Sequence, residues 1–396
     1  MFFTAKKQLT HLQNMQSSCE SSVPNDQSQP ARALPLSSYI DSDIHHLERE
    51  KLFAGGWLFT CPADKLTENS SFFACNLAGE PIAIIRAEDG VLRALSNSCR
   101  HRGTPLLDAG FGQLKGNISC PYHAWSYNAQ GEFKGAPMCG KVTIDAQQHS
   151  LPQFAVEVFL GLVFVNFDSQ AVPLSQQCEA VNSYAQAFEP ERFNKSSLSP
   201  AENWQTNWKI IFENAAESYH LFKVHPQTLE RSSPTKKTYY VAGNSSFSLT
   251  GGELTLGVLD KLWLSGSPKV WQHYLLIALP PSIVMVLNYE SLSWININPL
   301  DSENSTVNAG YLSVKSMDSE NRKEAAFTQA FFAEDKAICE RLQQAALSCC
   351  NTGGTLVEME QVLVDFHHYL AKNMFDSSAV TLAKNPAIDS LYNSDK

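Results

Sequence analysis

The sequence predicts an α+β chain of two domains, an all-β domain first and then a larger domain that mixes helices and strands. Three observations lead there. The 396 residues exceed what one typical core organises. Between Trp57 and about Phe167, short runs rich in Val, Ile, Phe and Leu alternate with Gly-, Asn- and Asp-containing turns. Beyond residue 170 the order of periodicities is helix, strand, helix.

Taken along the chain, residues 1–34 are rich in Gln, Ser, Asn and Pro with few large apolar side chains, and are expected to form a loose tail. Residues 35–170 form the first domain with a leading helix, in which Ile44, Leu47, Leu52 and Phe53 keep helical spacing after a cap at Asp41 or Ser42. Residues 171–396 form the second domain. There Trp208 to Leu221 reads as a longer helix and residues 237–315 as strands. A strongly helical part follows from about Asp318 to Phe375, broken at Asn351–Gly354. The longest apolar run, Leu275 to Leu287, is interrupted by Pro280 and Pro281 and is too short to span a bilayer, so it reads as paired buried strands.

Composition narrows the function. A net charge of -10 would repel a polyphosphate backbone, and no Lys/Arg cluster offsets it, so nucleic acid is excluded as an expected partner. Lys6 and Lys7 precede no apolar segment, which argues against a secretory signal and for a cytoplasmic protein with no membrane association. Ten irregularly spaced cysteines then favour thiols and metal ligands over a disulfide framework.

Two constellations carry the chemistry. The first is Cys99-Arg-His101 and Cys120-Pro-Tyr-His123, each at an expected loop tip. Thiolates and imidazoles bind borderline-soft metals, and the four ligands alone would also suit a structural zinc site. The second lies in the stretch from Asn207 to Pro226. Glu213, Glu217 and His220 have i, i+4 and i+3 spacing for one helix face. Pro226 pushes His225 out of helical geometry, so that it can fold back toward the same point.

The longer texts Cys99-Arg-His-Arg-Gly-Thr-Pro-Leu106 and Cys120-Pro-Tyr-His-Ala-Trp-Ser-Tyr127 strongly resemble the two cluster-binding loops of Rieske proteins. Glu217, His220 and His225, about 95 residues on, resemble the iron motif of Rieske non-haem iron oxygenases, large (alpha) oxygenase subunits of the ring-hydroxylating dioxygenase and choline-betaine monooxygenase-like kind. The eighteen residues between His101 and Cys120 are about one more than that pattern, which a surface loop absorbs.

The resemblance implies a Rieske domain followed by a helix-grip (START/Bet v1-like) catalytic domain. It implies a [2Fe-2S] cluster with Cys99 and Cys120 on one iron and His101 and His123 on the other, where neutral imidazoles raise the reduction potential. Pro121 and Gly103 fit tight turns that aim N–H groups at sulfur. It further implies Fe(II) held by His220 and His225, completed by a carboxylate that leaves positions open for O2. The run Phe331-Phe-Ala-Glu-Asp-Lys336 favours Asp335 for that role, with Glu334 as the alternative.

Glu217 is expected to link His220 to His123 of a neighbouring chain, and Asn214 to lie just under the iron. The resemblance also implies a homotrimer closed head to tail. Without a G-x-G-x-x-G after a strand or a further Cys cluster, electrons should come from NAD(P)H through a separate reductase, with or without a ferredoxin. The expected reaction inserts oxygen from O2 into a small organic substrate. Hydroxylation or oxidative demethylation ranks first, and the single-chain layout resembles oxygenases of choline- or betaine-like amines. Ring cis-dihydroxylation, natural-product hydroxylation and, from another class, a non-catalytic electron carrier stay open. Tyr240, Phe247, Trp263, Trp271, Tyr274 and Tyr289 are candidates for the pocket lining and for a cation-π cage.

Overall fold

The computed structural model describes residues 2–21, 30–314, 322–348, 350, 351, 353–377 and 382–392. Contacts divide the chain into two compact units, Phe53–Leu174 and, joined together, Met1–Leu52 with Ser175–Lys396.

The smaller unit is the all-β one. Its main antiparallel sheet is built from β1 (Leu58–Pro62), β2 (Ser71–Leu77), β3 (Glu80–Arg86), β4 (Leu92–Ser96) and β5 (Gly110–Gln113), with two later strands. A small second sheet holds β6 (Ile118–Ser119), β7 (Ser126–Tyr127) and β8 (Phe133–Gly135); β9 (Gln153–Phe159) and β10 (Leu162–Asn166) return to the first, whose order is β1-β10-β9-β4-β3-β2-β5. Two of its hairpins close with two residues of positive φ, Ala78-Gly79 (52° and 93°) and Leu160-Gly161 (50° and 77°). Such turns match the right-handed strand twist, and a glycine takes the larger angle in each without steric cost. The cluster motifs fall between β4 and β5 and between β6 and β7.

The larger unit holds a nine-stranded antiparallel sheet. Its strands are β11 (Lys195–Leu198), β12 (Glu202–Trp204), β13 (Thr238–Gly243), β14 (Ser248–Glu253), β15 (His273–Leu279), β16 (Ile283–Leu287), β17 (Ser291–Pro299), β18 (Ser305–Ser313) and β19 (Ala383–Lys384). The order is β11-β18-β17-β16-β15-β14-β13-β19, with β12 also on β18. The two-proline run is a hairpin as expected: Leu279 pairs with Ile283 and the strands on either side are almost wholly buried.

Six helices of this unit matter below: α1 (Phe2–Ser21), α2 (Ser42–Glu48), α3 (Trp208–Ala216), α4 (Leu221–Val224), α5 (Arg322–Ala345) and α6 (Gln361–Phe375). The start of the predicted C-terminal helical run, residues 315–321, lies outside the described residues.

Two expectations about the N-terminal part change. Residues 2–21 are helical rather than a loose tail, because α1 packs on α6 and buries Met15 and Cys19 completely; residues 22–29 lie outside the described residues. The segment up to Leu52 belongs to the larger unit. The physical reason is a buried polar network. Glu48 of α2 takes the Lys209 ammonium at 2.6 Å and the Trp208 indole N–H at 2.7 Å, and the Tyr39 hydroxyl donates to Glu213 at 2.9 Å. Glu48 and Lys209 are both fully buried. Removing one partner of such a pair leaves an uncompensated charge in the core. Lys209→Met should therefore lower unfolding stability by about 3–5 kcal/mol in urea titrations, with Glu48→Leu/Lys209→Met recovering most of it. A single-variant loss below about 1 kcal/mol would remove this pair as the anchor of the N-terminal segment.

Candidate metal centres

The cluster motifs form two loops built on one plan. In the first, the Cys99 N–H donates to Thr104 O and the Gly103 N–H returns to Cys99 O, both at 2.9 Å. In the second, the Cys120 N–H donates to Trp125 O at 2.8 Å and the Ala124 N–H returns to Cys120 O at 3.0 Å. The fifth residue of each loop, Gly103 (φ 77°) or Ala124 (φ 55°), takes the left-handed turn that lets the chain double back. Cys99 and Cys120 thus point inward and belong to the buried core with Leu106, Ile118 and Tyr127. His101 and His123 stay exposed at the tips, their ring centroids 4.8 Å apart.

The surroundings suit two sulfur and two imidazole ligands. Burial pushes the Cys120 thiol up, but the N–H groups of His123 and Tyr122 aimed at it outweigh burial and hold it below its ordinary value. The Tyr127 hydroxyl lies 3.4 Å from Cys99 Sγ and accepts the Arg100 N–H at 3.0 Å. Trp125 stacks on the His101 ring, 4.8 Å between centroids and 8° from parallel, and fixes its plane. Buried sulfurs with N–H and O–H partners and two rim imidazoles fit a Rieske [2Fe-2S] cluster held by Cys99, Cys120, His101 and His123.

The second constellation is assembled by a helix that stops early. The expected helix from Trp208 to Leu221 ends at Ala216, and Glu217 is extended (φ −113°, ψ 162°). Its carboxylate accepts the N–H groups of Tyr219 and His220 and so replaces the helical bonding pattern with a tight turn. Glu213, Glu217 and His220 therefore do not share one helix face. Glu213 turns instead into the core beneath Tyr39, where burial raises it to about 7. His220 opens α4 and His225 closes it (φ −113°, ψ 40°), its N–H still bonded to Leu221 O at 2.9 Å. Pro226 then carries the chain away, and the two imidazoles face each other 5.2 Å apart.

From α5, Asp335 reaches between them. Its Oδ1 is 2.9 Å from His225 Nε2, 3.6 Å from His220 Nε2 and 2.8 Å from Asn214 Nδ2. One donor atom from each of His220, His225 and Asp335 lies within 4.8 Å of the others. The far side of each ring is also held, His220 Nδ1 by Glu217 Oε1 at 2.5 Å and His225 Nδ1 by Glu334 Oε2 at 2.8 Å. With both Nδ1 atoms engaged by carboxylates, a common cation that displaces the Nε2 protons would find both Nε2 lone pairs on its side. Two imidazoles and one carboxylate suit Fe(II) with positions left open. Asn214 bonds the acid rather than the point between the ligands, and Glu334 sits behind His225. The sequence reading gave no role to Thr228, whose hydroxyl donates to Glu334 Oε2 at 2.6 Å; a threonine in a loop carries no spacing signal.

The proposed aromatic lining scatters. Tyr274 is buried against Ser218, next to Glu217. Tyr240 donates to Asp365 at 2.9 Å, and Phe247 lines a small pocket with Phe212 and Phe366. Trp271 stacks on Tyr289, and the Arg192 guanidinium covers it at 4.7 Å. Trp263 packs 5.8 Å from Tyr289. Of the six, only Trp263, Trp271 and Tyr289 gather at one place, and there the Arg192 guanidinium already lies over Trp271.

Comparisons with known proteins agree with this division. Residues 56–155 match the family of the Rieske [2Fe-2S] domain, and residues 187–376 that of the ring hydroxylating alpha subunit (catalytic domain). The chain is 34% identical over 198 residues to the carnitine monooxygenase oxygenase subunit of Acinetobacter pittii (strain PHEA-2), a match spanning 50% of this chain and 53%, about half, of that relative. It is 26% identical over 367 residues to the carnitine monooxygenase oxygenase subunit of Escherichia coli (strain K12), over 87% of this chain and 94% of that one. Its fold resembles the crystal structure of the quaternary ammonium Rieske monooxygenase CntA with an inhibitor, at a TM-score of 0.77 and 24% identity, covering 91% of this chain and 98% of that chain.

Charge in the second centre ties it to pH. Burial disfavours the His220 imidazolium, but the hydrogen bonds it donates to Asp335 and Glu217 outweigh burial and raise the ring to about 9. His225 is raised likewise, and despite its burial Asp335 is held down to about 2 by both imidazoles and Asn214. Stability from His220 is thus complete below the ordinary imidazole value of 6.5 and is lost as pH rises through about 9. A bound dication replaces those protons, so its affinity rises over the same window. The Tm difference between Co(II)-loaded and chelator-treated protein should grow from about pH 6.5 to about pH 9. A flat or shrinking difference would contradict this proton–cation exchange.

Two twin Cys/His loops and a carboxylate shared by two histidines, each inside its matched family region, make this chain a member of the Rieske non-haem iron oxygenases, with the domain pair of their large alpha oxygenase subunits.

Proposed function

We propose that this chain is the oxygenase component of a Rieske-type system that uses O2 to hydroxylate or oxidatively demethylate a small organic substrate. Electrons come from a separate NAD(P)H-dependent reductase, directly or through a ferredoxin. The observation that carries the reading is the convergence of His220 Nε2, His225 Nε2 and Asp335 Oδ1 in the same chain as the Cys/His loops. An electron carrier would need only the loops. Both relatives named above are carnitine monooxygenase oxygenase subunits, which supports a quaternary ammonium as the substrate class.

When bound, the cluster supplies single electrons and Fe(II) with open positions supplies O2 activation. The chain's own residues do the rest. Cys99, Cys120, His101 and His123 would hold the cluster, and His220, His225 and Asp335 the mononuclear iron. Glu217 keeps the His220 proton on Nδ1 and its lone pair on Nε2, and Asn214 fixes the Asp335 oxygen that both imidazoles approach.

The exposed placement of the cluster imidazoles supports a head-to-tail homotrimer in which His123 of one chain meets Glu217 of the next. Around Glu217, Tyr219 and Phe222 are 40% and 52% exposed, an apolar rim suited to cover by another chain. No described helix is long and apolar enough to cross a membrane. A cytoplasmic setting is part of this reading, because the described cysteines are free thiols of the kind a reducing compartment preserves.

Asp335→Ala should keep the visible absorption of the cluster while abolishing L-carnitine-dependent O2 uptake and product formation with a surrogate reductase. Turnover at the wild-type rate would remove Asp335 from the site. Glu217→Gln should leave a cluster that is reduced normally but, in single-turnover experiments, passes its electron on at least about 100-fold more slowly; wild-type single-turnover kinetics would refute the bridging role.

A further inference from the structure

Glu334 and Asp335 are consecutive on α5, yet they reach opposite nitrogens of one imidazole. Asp335 Oδ1 lies 2.9 Å from His225 Nε2, and Glu334 Oε2 lies 2.8 Å from His225 Nδ1. The same Glu334 oxygen accepts the Thr228 hydroxyl at 2.6 Å. Thr228 stands three residues after His225, and its N–H donates to His225 O at 3.2 Å, as does that of Glu230 at 3.2 Å. A closed circuit results, from the His225 backbone through Thr228 and Glu334 to the His225 ring.

We infer that Thr228 and Glu334 are a positioning pair that fixes the tautomer and plane of the His225 ring, and that Glu334 acts through His225 instead of as a metal ligand. The inference rests on reading His220, His225 and Asp335 as the iron site. A carboxylate at Nδ1 keeps the proton there and leaves the Nε2 lone pair directed at the point shared with Asp335 and His220. Glutamate has three rotatable bonds and 33% of this side chain is exposed, so it would not stay on a fully buried ring unaided. The Thr228 hydroxyl supplies the restraint, since a second hydrogen bond to the bonded oxygen holds the carboxylate in one rotamer. Glu217 serves His220 by taking N–H groups of its own turn. Thr228 gives Glu334 the equivalent anchor from a side chain.

The test uses the full chain with its cluster intact and its mononuclear site stripped by a chelator, titrated with Co(II) and followed by d–d absorption and chelator competition. Thr228→Val and Glu334→Leu should each weaken Co(II) binding about 10–100-fold, and the double variant should lose little more than either. Thr228→Ser should bind like wild type, and Glu334→Gln, which keeps an acceptor for Nδ1–H, should recover part of the loss. Cluster absorption and the Tm measured before Co(II) addition should stay near wild type, which separates positioning from misfolding. Wild-type affinity in Thr228→Val and Glu334→Leu, or losses that simply add, would overturn the pair. Asp335→Ala distinguishes the two readings. If it binds Co(II) like wild type, the site itself is misassigned; if it alone abolishes binding, only the role of Thr228 and Glu334 falls.

Discussion

A single carboxylate oxygen, Oδ1 of Asp335, lies within reach of two imidazoles and one amide, and the larger unit is organised so that it can. Glu217, His220, Asp335, His225 and Glu334 alternate acid and base along one line. With both rings neutral, that line carries three negative charges and no positive one. Desolvating so many like charges is unfavourable unless protons or a cation enter among them. Protons settle on the imidazoles when nothing else is offered, which is why His220 is raised to about 9. A dication would answer the same deficit with one particle, within reach of both Nε2 atoms and the Asp335 carboxylate.

Several local features follow from that requirement. The helix carrying Asn214 has to stop at Ala216, because a continuing helix would carry His220 round its axis instead of letting Glu217 fold back onto it. The stop is made by side-chain chemistry rather than by a proline or glycine: Glu217 captures N–H groups that a helix would use. The start of the same helix is pinned by Lys209 and Trp208 on Glu48, so the site is braced by a segment from the other end of the sequence. In the β unit the constraint is of another kind. Twin loops place sulfur in the core and imidazole at the surface, so a cluster held there would have its sulfur ligands shielded and its imidazoles accessible.

Much of this was legible in the residues. Cys99, His101, Cys120 and His123 announce their loops because close ligand spacing and turn residues coincide there. The Pro280-Pro281 break correctly signalled a hairpin. The helix end at Ala216 was not legible, since apolar periodicity runs on to Leu221 and the competing bonds come from one glutamate side chain. Nor was the N-terminal helix, whose polar composition hides that it packs on α6 and buries Met15 and Cys19. Thr228 and the division of labour between Glu334 and Asp335 depend on tertiary approach, and neighbouring acids on a helix look alike in sequence. Residue type alone could not sort the candidate aromatics, which packing distributes over separate contacts, with Trp263, Trp271 and Tyr289 together and Tyr240 and Phe247 elsewhere.

The most direct test of the shared carboxylate is anomalous diffraction at the iron edge from crystals of the iron-loaded chain. Expected is one peak apart from the pair at the Cys/His loops, bonded to His220 Nε2, His225 Nε2 and an Asp335 oxygen, with Glu334 on the far side of the His225 ring. A peak elsewhere, or one ligated by Glu334 in place of Asp335, would contradict the assignment on which everything above depends.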